Sequence, residues 1–193
     1  MRVFLWEAFL STLKDHRVSL LVDVRSSPFS AYRPEYNQEP LENRLRDHGI
    51  YYRNYAHEFG ARQNDQKYYA QEGYLDFELF SKSDVFLSGV AKLCESMRRG
   101  YTFALMCAEK NPVDCHRAIL VSRAFYERGY PVVHIMPDGA SETQEDLNRS
   151  LIDQYFPNRN QLSLLEEPQD DATLLQLAYR RRNAEIGYRM EDT

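Results

Sequence analysis

Four short apolar runs, each a strand's length and each set apart by helical patterns, constrain this chain more than any other feature of its sequence. "VSLLVDV" at 18–24 is almost wholly apolar and rich in Val and Leu. That composition suits a strand buried on both faces, as in a parallel sheet. "IYYRNY" at 50–55, "YTFALMC" at 101–107 and "PVVHIM" at 131–136 are the other three. Parallel neighbours cannot be joined by a tight turn, so the chain must cross over between them, usually through a helix.

The intervening segments supply those helices. Leu5, Phe9, Leu10 and Leu13 fall at helical spacing over 4–16. "PLENRLRDHG" at 40–49 has Pro40 in the first turn and Gly49 as its stop. Val85, Phe86, Val90, Leu93 and Met97 make a helical stripe over 83–100 that ends at Gly100, with Cys94 read as core. Residues 68–80 are aromatic and read as helical, and a further helix is expected over 112–128. "SETQEDLNRSLIDQYF" reads as a helix opened by a capping box of Ser141 and Gln144. Residues 157–171 read as an acidic linker, and "ATLLQLAYRRRNAEIGYR" as a polar terminal helix free to pack loosely or reach a partner. The expected fold is α/β: a Rossmann-like three-layer sandwich with a mostly parallel sheet of four to five strands. The α/β domain is placed at 1–140 and a helical extension at 141–193.

Composition narrows the function classes. A hydrophobic fraction of 43% and a charged fraction of 27% over 193 residues are those of a globular chain able to bury a core without disulfides. Three scattered cysteines do not make a secreted disulfide framework, so a cytoplasmic location is expected. No run approaches a membrane span, and the first residues do not read as a signal peptide. A net charge of -5 argues against a general nucleic-acid coat but leaves room for a local basic site.

In open parallel sheets, ligands bind outside the carboxyl ends of the strands. The unusual residues of this chain fall there. The first strand runs out into Asp23, Arg25 and Ser26, the second toward His57, Glu58 and Arg62, and the third into Cys107 and Glu109. In "CAEKNPVDCHR", Asn111 reads as a helix cap, Pro112 as the first helical residue and Asp114 as a residue folding back on the start. The free N–H groups of that start and the forked guanidinium of Arg117 suit an anion, and Arg117 serves equally well as scaffolding against Asp23 or Glu109. Asp23, Glu109 and His116 are the candidate proton carriers. Cys107 has three readings: core, nucleophile, or redox partner of Cys115. Zinc on Cys107, Cys115 and His116 needs a fourth ligand such as His57, and the spacing matches none of the paired knuckles, so no metal is assigned. No cofactor is assigned either. His16, His48 and His134 read as structural or solvent-facing.

Residues 32–74 hold 8 of the 14 tyrosines, several beside Arg33, Arg53 and Arg62. Tyr32 and Arg33, in the polar Pro-broken stretch "SSPFSAYRPEYN", suit a binding loop in which a ring stacks on a base and a guanidinium holds a phosphate. Core or lid packing of the rings is the alternative.

"LLVDVRSSPFSAYRPEYN" followed some eighty residues later by "LMCAEKNPVDCHRAIL" resembles the domain-of-unknown-function family 488, over roughly residues 8–136. The resemblance implies a compact α/β domain and places Asp23, Arg25 and Ser26 in a first motif, Cys107, Ala108 and Glu109 in a second, and Cys115, His116 and Arg117 in a third. Members usually begin with a strand reading Thr-Ile-Gly-His-Ser before the first helix, and this sequence starts inside the corresponding helix. The polar and thiol groups gathered at three strand ends, rather than the resemblance, give the expectation of an enzyme for an anionic substrate containing phosphate, a nucleotide or a nucleic acid. Its candidate catalytic residues are Cys107, Glu109, His116 and Asp23, and its candidate ligand-binding residues are Arg25, Ser26, Tyr32, Arg33, Cys115 and Arg117. A non-catalytic nucleic-acid or protein-binding module and a thiol redox switch are the alternatives.

Overall fold

The structure, a computed structural model, describes residues 6–136, 138–159 and 170–190. In chain order the elements begin with α1 (Trp6–Asp15), β1 (Leu20–Asp23), α2 (Gln38–Arg46), β2 (Tyr51–Asn54), α3 (Ala56–Phe59) and α4 (Phe77–Phe80). They continue with α5 (Asp84–Arg98), β3 (Phe103–Met106), α6 (Arg123–Tyr126), β4 (Val133–Ile135), β5 (Ser141–Thr143), α7 (Gln144–Tyr155) and α8 (Asp171–Ile186). The chain divides into two compact units: Met1–Arg62 with Lys82–Ala108, and Gln63–Ser81 with Glu109–Thr193.

The first unit is an α/β layer structure. Its sheet has the order β2-β1-β3, all parallel. β1 is central and every one of its residues is buried, as its unbroken apolar run predicts. Leu21 packs with Leu10 and Leu13 of α1, Leu41 and Leu45 of α2, and Tyr52 of β2, so α1 and α2 cover one face. Leu20 and Val22 point the other way by the two-residue alternation of a strand. α3 and α5 pack on each other through Phe59 and Phe86, whose rings meet edge to face at 5.2 Å. The approach is close because Gly89 has no side chain: a Cβ there would sit 2.7 Å from Glu58 Cβ and 2.8 Å from Phe59 Cζ.

The sheet is smaller than the four to five strands expected. β4 does not join it. It pairs antiparallel with β5 in a separate two-stranded sheet of the second unit, Val133 opposite Thr143 and Ile135 opposite Ser141. The chain reverses around Gly139, at φ 88°, with the Met136 N–H donating to the Ala140 carbonyl at 2.8 Å. An antiparallel partner is reached by such a short turn, whereas a parallel one requires a crossover. Asp138-Gly139 is the turn signal that announces this hairpin. Ser141 therefore lies in a strand, and the capping box belongs to Thr143 and Asp146 instead.

The second unit is mainly helical. α7 and α8 pack through Leu147, Leu151 and Ile152 on one side and Leu174 and Ala178 on the other. Between them lies a buried polar network. His134 Nε2 is 2.8 Å from Gln144 Oε1, and the Gln144 amide donates to Tyr179 Oη at 2.9 Å and to Asn148 Oδ1 at 3.3 Å. Most of the acidic linker lies outside the described residues. Among the described residues, no helix is long and apolar enough to cross a membrane.

Candidate functional site

At the carboxyl end of β1 the chain builds a fixed cation. Asp23 is wholly buried. Its Oδ1 accepts from the Arg25 backbone N–H at 3.1 Å and from Arg25 Nε at 2.9 Å. Its Oδ2 accepts from Arg25 Nη2 at 2.5 Å and from the Tyr52 hydroxyl at 2.7 Å. Arg25 Nη2 also donates to the Tyr36 carbonyl at 2.9 Å. Burial works to lower the Arg25 pKa, but the hydrogen bond and charge of Asp23 outweigh it, and the guanidinium is held above its ordinary value. Tyr52 is pushed up by burial first and then by its bond to Asp23, so it stays a neutral donor. Both carboxylate oxygens are thus engaged. Among the described residues no bond engages Arg25 Nη1, and the side chain keeps 11% of its exposure.

Ser26, next in the motif, ties this edge to the segment after α3. Its Oγ accepts from the Arg62 backbone N–H at 2.9 Å. Gly60 makes room for it, since a Cβ there would lie 3.0 Å from Ser26 Oγ and 2.4 Å from the Ala56 carbonyl oxygen. The loop beyond Ser26 is held by its own bonds. Ser30 N–H donates to Asn37 Oδ1 at 2.6 Å, Arg33 N–H to Ser30 Oγ at 3.2 Å, and Gln38 N–H to the Pro28 carbonyl at 3.1 Å. Those bonds leave Phe29 71% and Tyr32 94% exposed. Arg33 pairs with Glu35 at 3.4 Å on the same loop. Of the other tyrosines, Tyr52 is core and Tyr55 stacks on Phe59, so packing accounts for part of the cluster.

The parallel register brings Cys107 to the same edge. Asp23 is paired with Met106, and the Val24 N–H donates to the Met106 carbonyl at 3.0 Å, so Cys107 follows beside Val24. Its side chain is half-buried and its thiol is not in a disulfide. Asp23, Arg25, Ser26 and Cys107 therefore share one rim of the first unit. His57 lies in α3 of that unit, exposed, and Glu58 beside it pairs with Lys92 at 2.7 Å.

Glu109, Cys115, His116 and Arg117 belong to the second unit, and the helix expected from 112 does not form there. Pro112–Asp114 is a single 3-10 turn, capped by Asn111, whose Oδ1 accepts from the Val113 N–H at 3.3 Å. Cys115 is extended, at φ -131° and ψ 137°, and breaks the helical path. Regular turns resume at His116, first as a π-helix over Arg117–Ser122 and then as α6. A three-residue 3-10 turn lacks the aligned N–H groups of a true helix start, so the helix start on which an anion site at 112 was expected does not form. Arg117 closes the turn on main chain, its Nη1 donating to the Glu109 carbonyl at 3.1 Å and its Nη2 to the Lys110 carbonyl at 3.2 Å. These are contacts of the scaffolding kind, made to carbonyls rather than to the carboxylates of Asp23 or Glu109. Cys115 is buried, its Sγ 3.8 Å from His116 Nδ1 and accepting from the Arg117 N–H at 3.4 Å. Adjacent thiol and imidazole are both metal-ligand types. Glu109 is exposed.

Against protein-family models, residues 5–124 match the domain of unknown function DUF488, more than half of the chain. The chain belongs to the DUF488 family. The DUF488 match takes in all three motifs and ends inside α6, leaving α7 and α8 beyond it. Searches of curated proteins and of solved structures found nothing that matches.

Two contributors lie outside the sequence motifs. Tyr52 reads from sequence as part of a strand and of the tyrosine-rich stretch, not as a partner of Asp23. Its signal is the alternation of β2, which buries Tyr52 opposite Leu21, on the face that Leu21 shares with Asp23. The other is Arg182 of α8, which no local pattern links to the third motif.

Proposed function

We propose that this DUF488 protein is an enzyme for an anionic substrate, containing phosphate or a nucleotide, bound at the carboxyl edge of the three-stranded sheet. The observation that carries the reading is Arg25: a cation fixed by a buried carboxylate, with Nη1 left to face a ligand. A pre-ordered guanidinium loses little further freedom on binding and favours forked contact with phosphate or carboxylate. Asp23 orients Arg25 and is too fully engaged to move protons. The Ser26 hydroxyl, which accepts from Arg62 N–H, retains its own hydrogen to donate. Tyr32 and Arg33 on the bonded loop suit the base of a nucleotide. Cys107, half-buried at the same rim, is the candidate nucleophile. Glu109, Cys115, His116 and Arg117 lie in the second unit, and no step of this reading is placed on them.

The test is calorimetric titration of inorganic phosphate and nucleoside mono-, di- and triphosphates into the wild type, Arg25→Lys, Ser26→Ala and Cys107→Ser. Arg25→Lys is expected to weaken binding about tenfold or more, the scale of one charge-assisted bond. Cys107→Ser is expected to retain binding and lose turnover. Unchanged affinity in both Arg25→Lys and Ser26→Ala overturns the reading.

A second reading, a non-catalytic module for single-stranded nucleic acid, is favoured by the exposure of Phe29 and Tyr32 on a loop held by its own bonds. Exposed rings on an ordered loop suit sequence-tolerant stacking. An oligonucleotide affinity that falls with added salt and with Tyr32→Ala, but ignores Cys107→Ser, selects this reading over the first.

A further inference from the structure

The second unit holds an arginine that lies beyond the DUF488 match and yet reaches the turn just before the third motif. Arg182, near the end of α8, has a side chain only 12% exposed. Its Nε donates to the Val113 carbonyl at 3.0 Å, its Nη2 pairs with Asp114, and its Nη1 pairs with Glu185 Oε2 at 2.6 Å. All three guanidinium nitrogens are used. Two of them grip the 3-10 turn that leads directly into Cys115 and His116.

That turn is weakly determined by its own sequence. It consists of one 3-10 turn, whose hydrogen-bond geometry is poor, and its cap bond is long at 3.3 Å. Asp114, expected to fold back on a helix start, faces Arg182 instead. α8 is in turn a firm support. Asn183 donates to the Leu75 carbonyl at 2.8 Å and accepts from the Phe77 N–H at 2.9 Å, and Arg180 pairs with Glu78 at 3.0 Å. A mostly covered cation thus makes two contacts to one short turn from a helix anchored elsewhere.

We infer that Arg182 is a positioning residue for the Cys115–His116 turn, acting from a helix outside the DUF488 stretch. The turn keeps Cys115 buried against the Arg117 N–H because Arg182 holds Val113 and Asp114 in place. α8 is then part of the apparatus that shapes the third motif, and the inference stands whether or not the sheet edge binds an anion.

Native alkylation with iodoacetamide, read cysteine by cysteine by peptide mass spectrometry on the full chain, tests this. Arg182→Met should raise the rate at Cys115 about tenfold or more through local opening, while Cys94 in the first unit keeps its wild-type rate. Arg182→Lys, which keeps the charge opposite Asp114 but loses the fork, should restore part of the protection. Asp114→Asn, a milder change at a more exposed group, should raise Cys115 reactivity by less, and Glu185→Gln should leave it unchanged. An unmoved Cys115 rate in both Arg182→Met and Asp114→Asn overturns the inference. So does a parallel rise at Cys94 and Cys115, which marks general loosening. Phosphate and nucleotide titration of the same variants reports separately on the sheet-edge proposal.

Discussion

Tyr52 donates its hydroxyl hydrogen bond to Asp23 Oδ2 at 2.7 Å, from the strand beside it and 29 residues later in the chain. Oδ2 also takes Arg25 Nη2, so the phenol completes a carboxylate that would otherwise be buried against a single partner. A buried ion pair contributes little net stability, but removing one member strands the other charge. The three residues therefore behave as one unit.

Asp23→Asn should cost about 3–5 kcal/mol, because Arg25 then lacks its counter-charge in a buried setting. Tyr52→Phe should cost about 1–3 kcal/mol through one unmet acceptor. The double variant should cost less than the sum, since both changes act on one network. Urea midpoints at neutral pH measure all three, and strict additivity would contradict a shared network.

Alkaline titration should show that Tyr52 and Tyr179 resist ionisation while the chain stays folded. Burial raises Tyr52 and Tyr179 above the ordinary value of 10.0, with the Asp23 bond adding to the effect at Tyr52. For a group raised on folding, the stabilisation is complete below the unfolded pKa and is lost as pH climbs past it. The last phenolate absorbance should appear abruptly, together with loss of helical circular dichroism. Complete smooth ionisation of a still-folded chain would rule this out.

Acid should weaken the second unit through His134. Burial lowers its pKa first, and the nearby charge of Arg117 lowers it further, while the Gln144 bond opposes both. The unfolded chain then binds the proton more readily. Stability is full above about pH 6.5, the ordinary histidine value, and falls as pH drops through the lower folded pKa. The melting temperature of the wild type should decline as pH falls below 6.5. His134→Asn should be less stable at neutral pH but show a flatter decline.

Gly89→Ala tests the closeness of α3 to α5. The added methyl meets Glu58 Cβ and the Phe59 ring at 2.7 to 2.9 Å, so packing must shift at a cost of about 1–3 kcal/mol. Helix propensity alone predicts the opposite sign, about 1 kcal/mol in favour of Ala. Thermal unfolding therefore decides between local preference and packing.

Much of the first unit is legible in the residues alone. The all-apolar run at 18–24 marks the central strand, and Gly49 and Gly100 close their helices in the left-handed region, at φ 75° and 90°. The rule for parallel sheets places Cys107 and the motif at the end of β1 on one edge, and the register agrees. The fate of 112–128 is not legible, because Asn111, Pro112 and Asp114 carry every local mark of a helix start. Their interruption at Cys115 accompanies contacts that Arg182 makes from 69 residues away. The apolar run of β4 looks like those of the parallel strands. Only its pairing partner distinguishes a hairpin from a crossover.

The sequence by itself determined the central strand of the first unit and the helices α1, α2 and α5 around its sheet, because side-chain periodicity follows from local backbone geometry and needs no distant partner. It also determined that Asp23, Arg25 and Cys107 stand near strand ends. Tertiary structure alone decided what those polar groups do. Asp23 became an orienting group when the register delivered Tyr52 to it, and Asp114 became an ion-pair partner when α8 delivered Arg182. The physical reason is that a polar group's role is fixed by whichever donor or charge reaches it once water is removed, and in this chain that partner is often distant in sequence.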